Sequence, residues 1–224
     1  MTSMRDTNLA YKPGEHPVHG TWLSVDVVAI TEDSPSKVVL ITRQGHPHKG
    51  ATTLPGGLLA AWDGETVEDA ARRIVREKVG VEVHAPVAVL DVVSDPDRDE
   101  RGHTVSVLVA MRVPAGTPGA VAVGSIPEGM PFRHTEMLRR GLMRIRERVL
   151  VERDTSLALL GVLTTVRAVI DLFALCSPKT TDTAVRSRLD RCPIYARDDD
   201  LLVRTRIGRP QAVYRLLPSK PESR

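Results

Sequence analysis

Apolar positions along this chain change their spacing several times, and each change marks an element. Trp22 to Ile30 (WLSVDVVAI) and Lys37 to Thr42 (KVVLIT) are short β-branched runs on either side of a Pro/Ser/Asp turn, which predicts two strands. A Gly/Pro/His loop, RQGHPHKGATT, separates them from Leu54-Pro55-Gly56-Gly57. The spacing then becomes helical over Val67 to Lys78. Val81 to Leu90 and His103 to Val113 return to strand patterning, the second preceded by the charged turn SDPDRDERG. Residues 115–129 read as a Gly/Pro/Ala-rich loop around a short strand. Phe132 to Val149 reads as a helix carrying Arg133, Arg139, Arg140, Arg144, Arg146 and Arg148. Strands of mixed origin around one central helix make this part α+β.

From Asp154 the pattern shifts to compact helices. Leu157 to Gly161 predicts a short apolar helix, and Thr164 or Thr165 can cap a second with Val166, Val169, Ile170 and Phe173 on one face. Thr181 to Cys192 predicts a third, with Val185 and Leu189 spaced for burial, followed by strands Leu201 to Ile207 and Gln211 to Leu217 around Gly208-Arg209-Pro210. Helix, helix, turn, basic helix and β-ribbon is the order of a winged helix-turn-helix. The reading divides the chain into a flexible arm (1–18), a first domain (19–150), a winged helix-turn-helix domain (151–217) and a frayed tail (218–224).

Charge sharpens this division. The net charge is +3, but residues 151–224 hold 13 Lys/Arg against 9 Asp/Glu, leaving 18 against 19 for the rest. The basic excess therefore sits in the C-terminal third, which suits a polyanionic partner there. With 42% apolar but only 3% aromatic residues, Val, Leu and Ala must supply most of the core. The opening residues have no apolar stretch of the signal-peptide kind. The most membrane-like run, Leu157 to Cys176, is interrupted by Arg167 and Asp171, so no membrane partner is expected. Cys176 and Cys192 have no metal-type spacing and fit a reducing cytoplasm as small buried groups. His46 and His48 lack a partner Cys or carboxylate cluster, so no metal is expected there.

The stretch Leu54 to Val81 carries the most specific pattern. Glu65 is followed after seven residues by Arg73, and Val75, Glu77, Gly80 and Val81 stay in register with it. This resembles a Nudix box, the loop-helix G-x5-E-x7-R-E-U-x-E-E-x-G-U that holds catalytic magnesium in pyrophosphohydrolases. The resemblance implies a Nudix-like α/β/α sandwich. It also implies three helix carboxylates for the ion, but two of their positions hold Ile74 and Lys78, and Gly57 lies seven residues before Glu65 instead of five. Glu77 and Lys78 together sum to zero charge where the family pattern supplies three negative charges. At about 4 kcal/mol per pair of unit charges at ~4 Å and an effective dielectric of roughly 20, doubled for each carboxylate facing a divalent cation, that loss removes productive metal binding. No catalytic residue, metal or required cofactor is therefore expected.

A degenerate Nudix domain joined to a winged helix resembles the Nudix-related transcriptional regulators of NAD metabolism, the NrtR family. Asp95 to Gly102 followed by HTVSVLVA looks like the family's DRDPRGR-strand segment. Phe132 and His134 resemble its AFDH helix start, and GRPQAVYR (208–215) matches its GRPAxxYRF wing. Thr52 stands where the family usually has a Trp, and Thr183-Ala184-Val185-Arg186-Ser187-Arg188 replaces its NFRRK-type recognition pattern. The resemblance implies a homodimeric repressor of NAD biosynthesis or salvage genes that binds a palindromic operator in the cytoplasm. Its first domain would sense ADP-ribose or another NAD-derived nucleotide. The alternative is a Nudix hydrolase of ADP-ribose pyrophosphatase type with an accessory DNA-binding domain.

Candidate roles follow. Arg43, Gly56, Gly57, Arg73, Glu77 and Lys78 form the expected ligand pocket, glycine allowing close approach of backbone N–H groups and arginine forking onto phosphate. Arg73 has a second reading, an ion pair with Glu77 one turn on. For DNA, Arg186 and Arg188 are the candidate base readers, with Thr183 and Ser187 on the same helix. Lys179, Thr180 and Thr181 suit phosphate contact at its N-terminus, and Arg204, Arg206 and Arg209 suit the flanking backbone. A solvated basic face paired with Asp190 or Asp198 to Asp200 is the alternative.

Overall fold

The computed structural model describes residues 21–176, 180–203 and 211–219. Its centre is β1 (Trp22–Thr31), which runs parallel to β7 (Thr104–Val113) over its whole length. β6 (Ala88–Ser94) pairs antiparallel with the far side of β7. On the other edge of β1, β2 (Val38–Val39) meets its end and β5 (Gly56–Leu58) its beginning, and β8 (Ala120–Val121) pairs with β2. β3 (Ile41–Thr42) and β4 (Thr52–Thr53) form a small separate ladder.

A central strand with neighbours on both edges needs apolar residues on both faces, and β1 supplies them by alternation. Val25, Val27 and Ala29 pack against Ala70, Ala71, Ile74 and Val75 of α1 (Val67–Val79). Val28 and Ile30 face the opposite way, into a cluster with Leu138, Leu142 and Ile145 of α2 (His134–Arg148). The sheet is thus sandwiched between α1 and the later helices. α1 starts where Thr66 accepts the Asp69 N–H at 3.1 Å and ends at Gly80. α2 lies close to the sheet because Gly141 has no side chain: a Cβ there would meet Val28, Leu108 and Leu90 at 3.0–3.4 Å.

The remaining elements are α3 (Arg153–Leu160), β9 (Leu163–Thr165), α4 (Val166–Cys176), α5 (Asp182–Asp190), β10 (Tyr195–Val203) and β11 (Gln211–Leu216), with strand order β10-β11-β9. Their apolar residues, including Leu159, Val169, Phe173, Val185, Leu189 and Tyr214, join the α2-side cluster without a break.

Several boundaries differ from those the sequence suggests. The Lys37–Thr42 strand is split at Leu40, whose N–H goes to Gly119 O at 3.0 Å. The strand expected from Val81 begins only at Ala88, and the helix expected from Leu157 begins at Arg153. Leu163–Thr165 is strand, yet Thr165 still caps α4 by accepting the Ala168 N–H at 3.2 Å. β10 begins at Tyr195, six residues earlier than expected, and takes in the turn-like Asp198-Asp199-Asp200. Arg215 neutralises Asp198 across the ladder at 2.8 Å, Arg197 pairs with Asp199 along the same strand at 2.8 Å, and the register shifts between Asp198 and Leu202, so the strand takes in the acidic run through an irregularity. The far end of that strand as expected, Arg204 to Ile207, and the Gly208-Arg209-Pro210 turn lie outside the described residues.

Candidate functional site

The loop before α1 is braced by one ion pair. Arg73 forks onto Glu65 at 2.6 and 2.9 Å and donates a further bond to Leu58 O at 3.0 Å. Glu65 also accepts the Ala60 N–H at 2.8 Å. The Arg73 hydrogen bonds hold the Glu65 carboxyl below its usual range, and the same bonds raise Arg73. Glu77 approaches Arg73 less closely, at 3.5 Å. Arg73 therefore spends its planar fork on the loop that carries the two-residue insertion around Trp62-Asp63, and Trp62 itself stands 69% exposed.

Beneath this loop lies a buried polar network that begins on β1. Alternation sends Ser24 and Asp26 to the α2 side together with Val28, and Asp26 is only 4% exposed. Its carboxylate accepts from Ser106 Oγ at 2.6 Å, and Ser106 sits opposite Ser24 in the β1–β7 register. Arg98, equally buried, donates to the hydroxyls of Ser106 and Ser24 and so meets Asp26 through them. His134 Nδ1 accepts the Leu54 N–H at 3.0 Å, which places its proton on Nε2, 3.5 Å from Asp26 Oδ1. Burial pushes the His134 pKa down, with Asp26 opposing in part, so the ring is held neutral. Gly56 is required above this network, because a Cβ would fall 2.0 Å from Asp26 Oδ1.

Cations converge on the network's open side. Lys78 donates its ammonium to Gly56 O, and Gly57 lies beside it. Lys78 is exposed as a residue, and loss of hydration followed by repulsion from Arg43 lowers its pKa. Arg43 donates to Pro47 O at 2.9 Å and lies 4.8 Å from the Phe132 ring centroid. Arg101 contacts the same ring at 5.4 Å and Trp22 at 5.4 Å, while forking onto Asp99 at 2.9 and 2.7 Å. Burial would raise Asp99, but Arg101 outweighs it and the carboxyl is lowered. Arg43 is lowered by burial and then by Arg101. Four cations, Arg43, Lys78, Arg98 and Arg101, thus face two carboxylates, Asp26 and Asp99, beside a neutral imidazole. That surplus of positive charge, with donors still available, is a setting for an anion.

The pattern-derived magnesium donors do not fit an ion here. Ile74 is hydrocarbon and fully buried, Lys78 is a cation, and Glu77 pairs with Arg73. Among the described residues no three His, Cys, Asp or Glu side chains form a metal-type group. His48 instead packs edge-on against Phe132 at 5.2 Å. Of the six residues proposed from sequence, Arg43, Gly56, Gly57 and Lys78 come together, while Arg73 and Glu77 sit on the brace. Sequence reasoning missed Ser24, Asp26, Arg98, Asp99, Arg101 and Ser106. Two polar residues, Ser24 and Asp26, inside an otherwise apolar strand were the available signal.

On α5, Thr181 caps the helix by accepting the Ala184 N–H at 3.3 Å, so its hydroxyl is committed to the backbone. Val185 and Leu189 are buried as spaced, and Thr183, Arg186 and Ser187 are exposed. Arg186 pairs with Asp182 at 3.4 Å, and Arg188 is half-buried with its guanidinium 4.9 Å from the Phe173 centroid. Thr180 is half-buried at the helix approach. Lys179, Arg204, Arg206 and Arg209 lie outside the described residues. No helix among the described residues is long and apolar enough to cross a membrane.

Comparison with known proteins bears on both regions. Over 81 residues the chain is 41% identical to an ADP-ribose pyrophosphatase of Methanocaldococcus jannaschii, a match that covers 36% of this chain and 46% of that protein. It thus spans just under half of that relative's length. The fold is similar to the crystal structure of a MutT/nudix family protein from Enterococcus faecalis (TM-score 0.63, 21% identity, 91% of this chain and 89% of that one). It is also similar to Shewanella oneidensis NrtR (TM-score 0.60, 26% identity, 88% and 94%) and to NrtR complexed with a 27mer DNA (TM-score 0.60, 23% identity, 87% and 93%). The NUDIX domain model matches residues 20–148, more than half of the chain and the whole of the sheet, the braced loop and α1, and on that ground the chain belongs to the NUDIX domain family.

Proposed function

We propose that this chain is a DNA-binding transcriptional regulator, a repressor of NAD biosynthesis or salvage genes, whose Nudix domain binds ADP-ribose or a related NAD-derived nucleotide without hydrolysing it. The observation that carries the sensing half is Lys78: an ammonium bonded to Gly56 O occupies the position where the box pattern has a metal-holding carboxylate. A cation there meets a diphosphate directly, in place of the ion that hydrolysis needs. Arg43 and Arg101 add further positive charge, both held against the buried ring of Phe132. A sensor that destroyed its ligand would erase its own signal.

The DNA half rests on the order of α3, α4, α5 and the β10–β11 ribbon, which matches a winged helix-turn-helix with α5 as recognition helix. The likeness to NrtR, which has been crystallised with DNA, supports it. In this reading residues 19–150 form the sensing domain and 151–217 the DNA-binding domain. The protein acts in the cytoplasm as a homodimer on a palindromic operator, and ligand binding changes the relation of the two α5 helices.

The 41% identity to an ADP-ribose pyrophosphatase favours a second reading, a hydrolase with an accessory domain. One experiment separates the two. Purified protein incubated with ADP-ribose and Mg²⁺ returns it intact while calorimetry records binding, and gives a salt-sensitive, palindrome-selective mobility shift on its own promoter region. Release of AMP from ADP-ribose reverses the ranking.

A further inference from the structure

The exposed stripe of α5 is not centred on the two arginines that flank its buried pair. At about 100° per residue, Val185 and Leu189 point together to one side, and Ser187 lies opposite their mean direction. Thr183 and Arg191 fall within about 40° of Ser187, whereas Arg186 and Arg188 lie about 100° away on either flank. The contacts agree with this wheel. Arg188 turns back onto the Phe173 ring of α4, and Arg186 lies along the helix to Asp182. Arg191, exposed at the helix end, folds over the stripe and donates Nε to Ser187 O at 3.0 Å and Nη2 to Ser187 Oγ at 3.0 Å. These two bonds use two of its five N–H donors, and the side chain is exposed.

We propose, resting on the DNA-binding reading above, that Arg191, positioned by Ser187, is the arginine that reads base-edge acceptors in the major groove, while Arg188 serves packing. Two features favour a base over a phosphate. Arg191 stands at the C-terminal end of α5, where the helix dipole is negative and disfavours a phosphate. Its neighbour Asp190 keeps a carboxylate there, accepting the Tyr214 hydroxyl at 2.8 Å. Guanine offers paired acceptors, O6 and N7, that suit a guanidinium whose other edge is already tethered. The Ser187 tether lowers the entropy lost when the long side chain docks.

The test uses the full chain and two fluorescent duplexes of equal length: one carrying the sequence that wild-type protein selects from a randomised pool, and one unrelated. Arg191→Ala weakens binding to the selected duplex tenfold or more and to the unrelated duplex by less than about threefold. Arg191→Lys keeps the unrelated affinity but does not restore selectivity, because an ammonium cannot fork. Arg188→Ala lowers the thermal midpoint, and a loss of selectivity in it as large as in Arg191→Ala returns base reading to Arg188 and overturns the assignment. Equal weakening on both duplexes makes Arg191 a phosphate contact and overturns the assignment, as does retained selectivity. A folded wild-type protein that selects no sequence overturns the DNA-binding reading itself and the assignment with it, a result distinct from loss confined to the Arg191 variants.

Discussion

In the sensing reading Lys78 sets the chemistry of the ligand site, because its ammonium is bonded to Gly56 O among Arg43, Arg73 and Glu77. A charge-assisted bond to a diphosphate in that setting is worth about 1.5–3 kcal/mol. Lys78→Ala is therefore expected to weaken ADP-ribose binding by roughly 10- to 100-fold in calorimetry; unchanged affinity would remove Lys78 from the site. Arg73 has a different job. Arg73→Met leaves the Glu65 carboxylate with the Ala60 N–H as its main partner, and the expected cost is about 1–3 kcal/mol in chemical denaturation. His134 makes stability depend on pH. Its folded pKa lies below the ordinary His value of ~6.5, so the unfolded chain takes up the proton first. The stability due to the neutral ring is complete above that value and is lost as pH falls from ~6.5 toward the lowered folded pKa. Asp99, whose pKa is also lowered, adds its loss only below the usual carboxylate range of ~3.9. Denaturation curves of wild type and His134→Asn, compared from about pH 8 to about pH 5 across the His range, should converge toward the acid end; parallel curves would discount the ring.

At the level of elements, α1 and α2 clamp the sheet by unlike means. α1 depends on its cap and on Ala70 and Ala71 lying flat on β1. Thr66→Ala is expected to cost about 1 kcal/mol without changing the pocket's affinity, since the cap is remote from the cations. α2 depends on Gly141, where the space above Val28 and Leu108 is already filled. Gly141→Val should cost about 1–3 kcal/mol and loosen His134 and Phe132, which the same helix start holds over the pocket. Thermal unfolding together with ADP-ribose titration checks both, the second variant losing affinity as well as stability. The arginines of α2 are for the most part a brace. Arg140 and Arg144 meet Asp91 of β6 at 2.5 and 3.3 Å, Arg139 meets Glu128 and Arg133 meets Asp95. The strong basic run visible in the sequence is thus largely neutralised within the fold, and the exposed basic groups of α5 are the better candidates for a polyanion.

Over the whole molecule, the α2-side core runs from β1 through α2 and α3 to α4, α5 and β11, so α2, which carries His134 at its start, and α5 share one packed core. A ligand that binds the folded state alone at one hundred times its Kd adds about 2.7 kcal/mol, which a rise in thermal midpoint with ADP-ribose should register. What was legible in the sequence was what local spacing controls: the strand character of β1, the helical period of α1, the loop-helix motif with Ile74 and Lys78 in place of acids, and the burial of Val185 and Leu189. These depend on backbone geometry over a few residues. Tertiary structure decided the partners. Glu65, eight residues from Arg73 but opposite it across the loop, claims that guanidinium before Glu77 does. Arg43, Arg98, Arg101 and Phe132 come from three separate segments, and their meeting over Asp26 follows from β1–β7 register and from where α2 starts. Arg188 turns inward because Phe173 of another helix lies beside it. Such meetings depend on long-range packing, which the spacing of residues along one segment does not encode.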